Sequence, residues 1–202
     1  MFDLFLKGGP MMWPLLLLSI LVLAVVLERL WFLWREGGMR DPRTTDRFWE
    51  MLSTRRPDEA MVTSLRSPDF VLRTLAYALE HRDRGLAAAL SQAAHRELKR
   101  FSRGLVLLDT SITLAPLLGL LGTVVGLIRS FGLLGEDQLQ SPTVLTGGIA
   151  QALLATAFGL CVAILALLPF NYLQARVEEA RHEIEDQATR LELALGRTGP
   201  LP

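Results

Sequence analysis

Thr110-Ser111-Ile112-Thr113-Leu114-Ala115-Pro116-Leu117-Leu118-Gly119-Leu120-Leu121-Gly122-Thr123-Val124-Val125-Gly126-Leu127-Ile128 is a run of 19 residues without a charge. About 20 apolar residues cross the hydrocarbon core of a bilayer as a helix. Two further uncharged runs flank it, the 20 residues from Gly8 to Leu27 and the 38 from Gln138 to Ala175. The remainder of the 202-residue chain is densely charged, with 21 basic against 21 acidic side chains and 50% hydrophobic residues overall. A mean hydropathy of +0.33 is too high for an ordinary soluble globule and too low for a chain held wholly in lipid. The expected fold is therefore all-α: an integral membrane protein with three transmembrane helices, spans two and three extended into a cytoplasmic helical bundle. Disorder, a secreted disulfide scaffold and a nucleic-acid binder are excluded, because the chain is apolar, neutral, and has the single cysteine Cys161.

Working outward, residues 11–34 form the expected first span. Trp13 stands at one end and Trp31 and Trp34 at the other, as in an interfacial aromatic belt. The start of the chain is a poor secretory signal: Asp3 offsets Lys7, the apolar run is span-length, and no small-residue cleavage site follows. A retained helix facing lipid is expected. Glu28 and Arg29 fall at its inner boundary, where snorkelling tolerates charge. Basic residues set the direction of insertion. Fourteen Lys/Arg lie between Arg35 and Arg103 and four between Arg176 and Arg197, against Lys7 and Arg129 on the other side. The positive-inside rule then places residues 1–10 and the 132–146 loop outside, and residues 35–104 and 174–202 in the cytoplasm. Spans two and three are bounded at 105–131 and 147–173.

The stretch 36–68 reads as polar and broken by Gly37-Gly38, Pro42, Pro57 and Pro68, with one short helix near Thr45–Leu52. From Asp69 the pattern turns helical. Leu72, Leu75, Leu79, Leu86, Leu90, Ala94, Leu98, Phe101 and Leu105 recur at intervals of three, four or seven. One helix is expected from 69 to 131, about 95 Å long at ~1.5 Å per residue. Leu173, Val177, Ala180, Ile184, Leu191 and Leu195 repeat the design in the tail. Each apolar edge needs a cover, and the two stripes can cover each other.

Spans two and three differ from span one in carrying small and polar residues. Gly119, Gly122 and Gly126 lie on one helix, and Ala152, Ala155, Gly159 and Ala163 on the other. Small residues spaced in this way let helix backbones approach closely, and contacts between subunits are expected. Thr113, Pro116, Leu120, Thr123 and Leu127 share a face of span two, and Gln151 and Thr156 lie in span three. A lone threonine can bond the carbonyl four residues back, whereas a buried glutamine needs a partner or water. Thr123, Thr156 and Gln151 therefore suit an interior polar surface, either a wet pathway or a socket for another helix. Asp109 is the one carboxylate at the cytoplasmic mouth of span two. The three histidines are scattered over polar segments, and no metal-ligand cluster, phosphate loop or nucleophile–base pair occurs. Neither an enzyme nor a cofactor is expected.

Asp109-Thr110, Thr113, Ala115-Pro116-Leu117-Leu118-Gly119-Leu120-Leu121-Gly122-Thr123-Val124 and Gly126 together resemble the most characteristic stretch of the MotA/TolQ/ExbB proton-channel family. Gly148-Ile149-Ala150, Ala152-Leu153, Thr156-Ala157, Gly159-Leu160 and Ala163-Ile164 resemble its last span, with Asn171-Tyr172 beyond. Three spans and a long cytoplasmic loop place the resemblance in the ExbB/TolQ branch. It implies a homo-oligomer, a pentamer in this family, whose second and third spans line a lumen. Inside would sit the single span of an ExbD/TolR-like partner carrying a proton-accepting aspartate, with a TonB/TolA-like transducer beyond. By match to the motif, Thr123 and Thr156 are the lumen threonines, expected as hydrogen-bond donors to that carboxylate. Two departures stand out. Gln151 replaces the glutamate frequent after Ile-Ala, and Ala-Ile-Pro becomes Ala163-Ile164-Leu165, with proline delayed to Pro169. A proton-driven motor subunit and a non-conducting envelope scaffold both follow as readings, the second suggested by Gln151.

Overall fold

A computed structural model of the chain describes residues 8–132 and 142–196. Seven α-helices occur among these residues: α1 (Met12–Gly38), α2 (Pro42–Ser53), α3 (Pro57–Leu65), α4 (Phe70–Glu80), α5 (Leu86–Phe101), α6 (Leu105–Gly132) and α7 (Pro142–Gly196). A single 3-10 turn, Arg82–Arg84, joins α4 to α5. Three helices are long and apolar enough to cross a membrane, in Met12–Gly38, Leu105–Phe131 and Thr146–Gly196. Most of the expected outer segments, 1–10 and 132–146, falls outside the described residues. The chain divides into an apolar unit, running to Arg29 and from Gly104 to Tyr172, and a polar unit, Leu30–Arg103 and the chain from Leu173 on.

In the apolar unit, α6 and α7 form an antiparallel hairpin held by its small residues. A Cβ built on Gly126 would lie 3.1 Å from the Ala152 Cβ, one on Gly122 2.5 Å from the Ala155 Cβ, and one on Gly119 3.1 Å from the Thr156 Cα. On the other strand of the seam, a Cβ on Gly159 would lie 2.5 Å from the Ala115 carbonyl oxygen. The backbones meet here because nothing larger than hydrogen or methyl stands between them. The seam described here lies within one chain, where contacts between subunits were expected: small-residue spacing signals close approach but does not say with which helix. Span one adds a third element. Met12, Leu15 and Leu18 pack on Ala115, Val162, Ala163 and Leu118, while Leu16, Leu17, Ile20 and Leu23 remain exposed. One face of α1 is thus a packing face, and the exposed one fits the helix facing lipid that was expected.

The polar unit is built around one apolar cluster. Leu72, Leu75, Leu79, Leu90 and Phe101 share it with Ala180, Ile184 and Leu191, so the two stripes do cover each other. Phe48, Trp49 and Leu52 of α2 complete it, and the Trp49 indole N–H donates to Gln187 Oε1 at 2.9 Å. Two expectations fail here. Residues 36–68 hold two helices instead of one, because Pro42 and Pro57 occupy first-turn positions, where proline starts a helix. The continuous helix from 69 to 131 is broken twice, between α4 and α5 and again at 102–104. Gly85 (φ +109°) and Gly104 (φ +82°) take left-handed conformations that other residues rarely adopt.

Buried charge organises this unit. Asp69, 2% exposed, caps α4 by accepting from the Val71 N–H at 2.9 Å. Its other oxygen accepts from the Asp41 N–H at 3.1 Å and faces Arg40 Nε at 3.4 Å. Arg40 also pairs with Glu183 of α7. Glu36, 5% exposed, meets Arg73 at 3.1 Å and Arg100 at 3.6 Å, and both arginines pair with Glu97. Burial works against the Arg73 guanidinium, but the hydrogen bond and charge of Glu97, with Glu36 behind them, outweigh it and raise its pKa.

Candidate functional site: a polar edge on the helix hairpin

The seam residues fix the azimuth of everything else on α6 and α7. At 3.6 residues per turn, each step along a helix turns it by about 100°. Thr123 follows Gly122 and Thr156 follows Ala155, each about 100° past a seam residue. Because the helices run antiparallel, these equal turns lead to the same edge of the hairpin. Asp109, Thr113, Pro116 and Leu120 fall on that edge too. Span one packs on the opposite shoulder, where Leu118 meets α1 and Met11 stands against Gly122. Among the described residues, span one leaves the polar edge uncovered. Asp109, Thr113 and Leu120 are exposed, and Pro116, Thr123 and Thr156 half-buried.

Gln151 is not part of it. Four residues before Ala155, it lies about 40° round in the other sense, on the side of span one. Its amide occupies the space beside Gly9, where a Cβ would collide with it. The grouping of Thr123, Thr156 and Gln151 on one surface is therefore divided: the structure brings the two threonines to one edge and seats the glutamine against the N-terminal turn.

The hydroxyl protons on the edge are already committed. Thr156 Oγ1 donates across the seam to the Gly119 carbonyl at 3.2 Å, and Thr123 Oγ1 donates to the Leu120 carbonyl at 2.6 Å. Thr113 Oγ1 donates to the Thr110 carbonyl at 2.9 Å. A hydroxyl has one proton and two lone pairs, so in this state each threonine offers the edge acceptors. The expectation that they serve as donors to a carboxylate requires the hydroxyls to rotate off their carbonyls. What they accept without rotation is an O–H, from water or from a protonated carboxylic acid. Pro116 adds another acceptor, since it has no N–H for the Ile112 carbonyl one turn earlier.

The other residues singled out in the sequence lie elsewhere. Ala163 is buried in the apolar cluster that also holds Met12, Leu15 and Leu18, and Arg29, 3% exposed, pairs with Glu28. Sequence reasoning missed Ser130, which is buried, donates to the Gly126 carbonyl at 3.0 Å and faces Gly148 across the seam. Its spacing of four from Gly126 carries that signal.

These features define a membrane protein whose helix hairpin presents an edge of hydrogen-bond acceptors. The sequence model of the MotA/TolQ/ExbB proton channel family matches residues 64–186. The chain is 42% identical over 179 residues to the biopolymer transport protein ExbB-like 1 of Synechocystis sp., covering 85% of this chain and 69% of that protein. It is 33% identical over 196 residues to ExbB-like 3 of the same organism, covering 94% and 92%. It is 29% identical over 194 residues to the Tol-Pal system protein TolQ of Haemophilus influenzae, covering 87% and 84%. The chain belongs to the MotA/TolQ/ExbB proton channel family, in its ExbB/TolQ-like branch.

Proposed function

We propose that this chain is the channel-forming subunit of an inner-membrane motor driven by the proton-motive force. It works with an ExbD/TolR-like single-span partner, whose transmembrane aspartate meets the polar edge, and passes work to a TonB/TolA-like transducer. The chain assembles as a ring, five subunits by family resemblance, with its N-terminus outside and its polar helical unit in the cytoplasm. It carries out no covalent chemistry. The observation that supports this reading is the uncovered edge itself. Thr123 and Thr156 lie side by side on the shoulder that span one leaves open, with their lone pairs available. A carboxylic acid arriving there finds acceptors for its proton, and on ionising it finds hydroxyls that can turn to donate. Rotation costs about 1 kcal/mol per carbonyl bond given up, small enough to be repeated in every cycle.

The scaffold reading rested on Gln151. With Gln151 seated against Gly9, its inability to titrate removes nothing from the edge, and the motor is favoured. The test is ion-driven function in cells and proton flux in reconstituted vesicles for Thr123→Val, Thr156→Val and the double variant. Valine keeps the shape and deletes the hydroxyl. Loss of both activities with ring assembly intact supports the motor. Full activity of the double variant removes the hydroxyls from the mechanism and leaves the scaffold.

A further inference from the structure

Asp109 is the only acidic residue in α6, and α7 has no charged residue before Arg176. The side chain sits on the fifth residue of α6, exposed, on the same edge as Thr113, Pro116 and Thr123. Hydrogen-bond acceptors lie further along the same edge. One turn on stands the Thr113 hydroxyl, its proton given to the Thr110 carbonyl and its lone pairs open. Beside that is the Ile112 carbonyl, deprived of its intrahelical donor by Pro116. Both can accept an O–H to complete their hydrogen bonding. From Asp109 to Thr123 is 14 residues, about 21 Å along the axis at ~1.5 Å per residue. The carboxylate thus marks one end of a polar edge whose far end is the threonine pair.

We infer that Asp109 is the proton-exchanging group of this subunit, the carboxyl through which protons pass between bulk water and the polar edge. This rests on the motor reading given above. The step is a plain proton transfer. The Asp109 carboxylate takes a proton from a hydronium ion arriving along the edge, leaving water, and becomes the acid; it then gives the proton to a bulk water, forming hydronium, and regains its charge; the reverse direction runs the same two transfers backwards. No bond other than O–H forms or breaks.

The test uses the complex that copurifies with the tagged full-length chain from its native membranes, reconstituted in vesicles and driven by a potassium diffusion potential. Proton flux is read from a trapped pH dye. Asp109→Asn keeps the size and polarity of the side chain and removes its exchangeable acid proton. Flux is expected to fall at least tenfold, Asp109→Glu to stay within about twofold of the wild-type chain, and added formate to restore flux to Asp109→Asn in proportion to its concentration. Rescue by a small diffusible acid, measured above the signal the same formate gives in protein-free vesicles, is the decisive readout, because a side chain needed only for folding or packing is not replaced by a proton carrier. Wild-type flux in Asp109→Asn overturns the inference, as does a loss shared by Asn and Glu that formate leaves unchanged. Absence of flux in the wild-type complex overturns the motor reading and this inference together, and is distinguished from the former results by that control.

Discussion

Gly159→Ala probes the seam that creates the polar edge. The added methyl would lie 2.5 Å from the Ala115 carbonyl oxygen, 3.0 Å from the Gly119 Cα and 3.2 Å from the Gly119 nitrogen. All three neighbours are backbone, so no side chain can swing aside, and α6 and α7 must part. An opening of ~0.5–1 Å forfeits a quarter to a half of each dispersion contact along the seam. Overpacking of this kind costs about 1–3 kcal/mol. Parting also strains the Thr156 hydroxyl bond to Gly119, a further ~0.5–1.5 kcal/mol, while alanine returns up to about 1 kcal/mol of helix propensity. The net expectation is a loss of about 1–3 kcal/mol. Gly147→Ala is the control: nothing lies within 4 Å of its Cβ, so only the propensity gain remains. Unfolding of the detergent-solubilised protein by added dodecyl sulfate, followed by circular dichroism, measures both. Two variants of equal stability would refute a backbone-tight seam inside one chain.

Three further outcomes follow from the geometry. Leu191→Ala, at a fully buried position of the cluster shared by α4, α5 and the end of α7, should cost about 2–5 kcal/mol. It should also accelerate amide exchange in Phe70–Glu80 and in α7 together; acceleration confined to α7 would contradict a shared core. The Thr44 hydroxyl and N–H hold the Asp41 carboxyl below its ordinary value of 3.8. Its stabilising effect is therefore complete above that value and lost as pH falls through the lower folded-state pKa. Asp41→Asn should flatten the acid limb of the stability curve, and an unchanged limb would remove the cap from the account. Gln151→Glu, on the span-one shoulder, should leave proton flux within about twofold of the original; a loss as large as that of Thr156→Val would place it on the pathway.

Much of this was readable before any coordinates. Uncharged runs gave three spans, and the leucine stripes gave a shared bundle, because burial in lipid and burial in a core both impose strong patterns. Other features follow weaker rules. Pro42 and Pro57 look like breaks in the sequence, yet proline is also the residue that best opens a helix, and only the chain's direction at those points decides. Gly85 and Gly104 interrupt an otherwise regular heptad-like stripe, and a single glycine inside a helical pattern does not announce a positive φ. The separation of Gln151 from Thr156 was available from helical angles alone. The destination of the seam was not, since small residues report closeness without naming the partner. Nor could sequence show that the Thr123 and Thr156 hydroxyls donate to the Leu120 and Gly119 carbonyls.

The central claim is that the edge carrying Thr113, Thr123 and Thr156 faces water or a partner helix while the opposite faces of the hairpin meet lipid. Cysteine accessibility in the native membrane complex tests it most directly. In a Cys161→Ser background, single cysteines replace Thr113 and Thr123 on the edge, and Leu121, Ile128 and Leu165 away from it, all three of which are exposed in the single chain. A small water-soluble thiol reagent reacts only where water reaches the thiolate. Labelling at 113 and 123 with 121, 128 and 165 silent is the expected result. Equal labelling at all five positions, or labelling at 121, 128 and 165 with the edge silent, would contradict it.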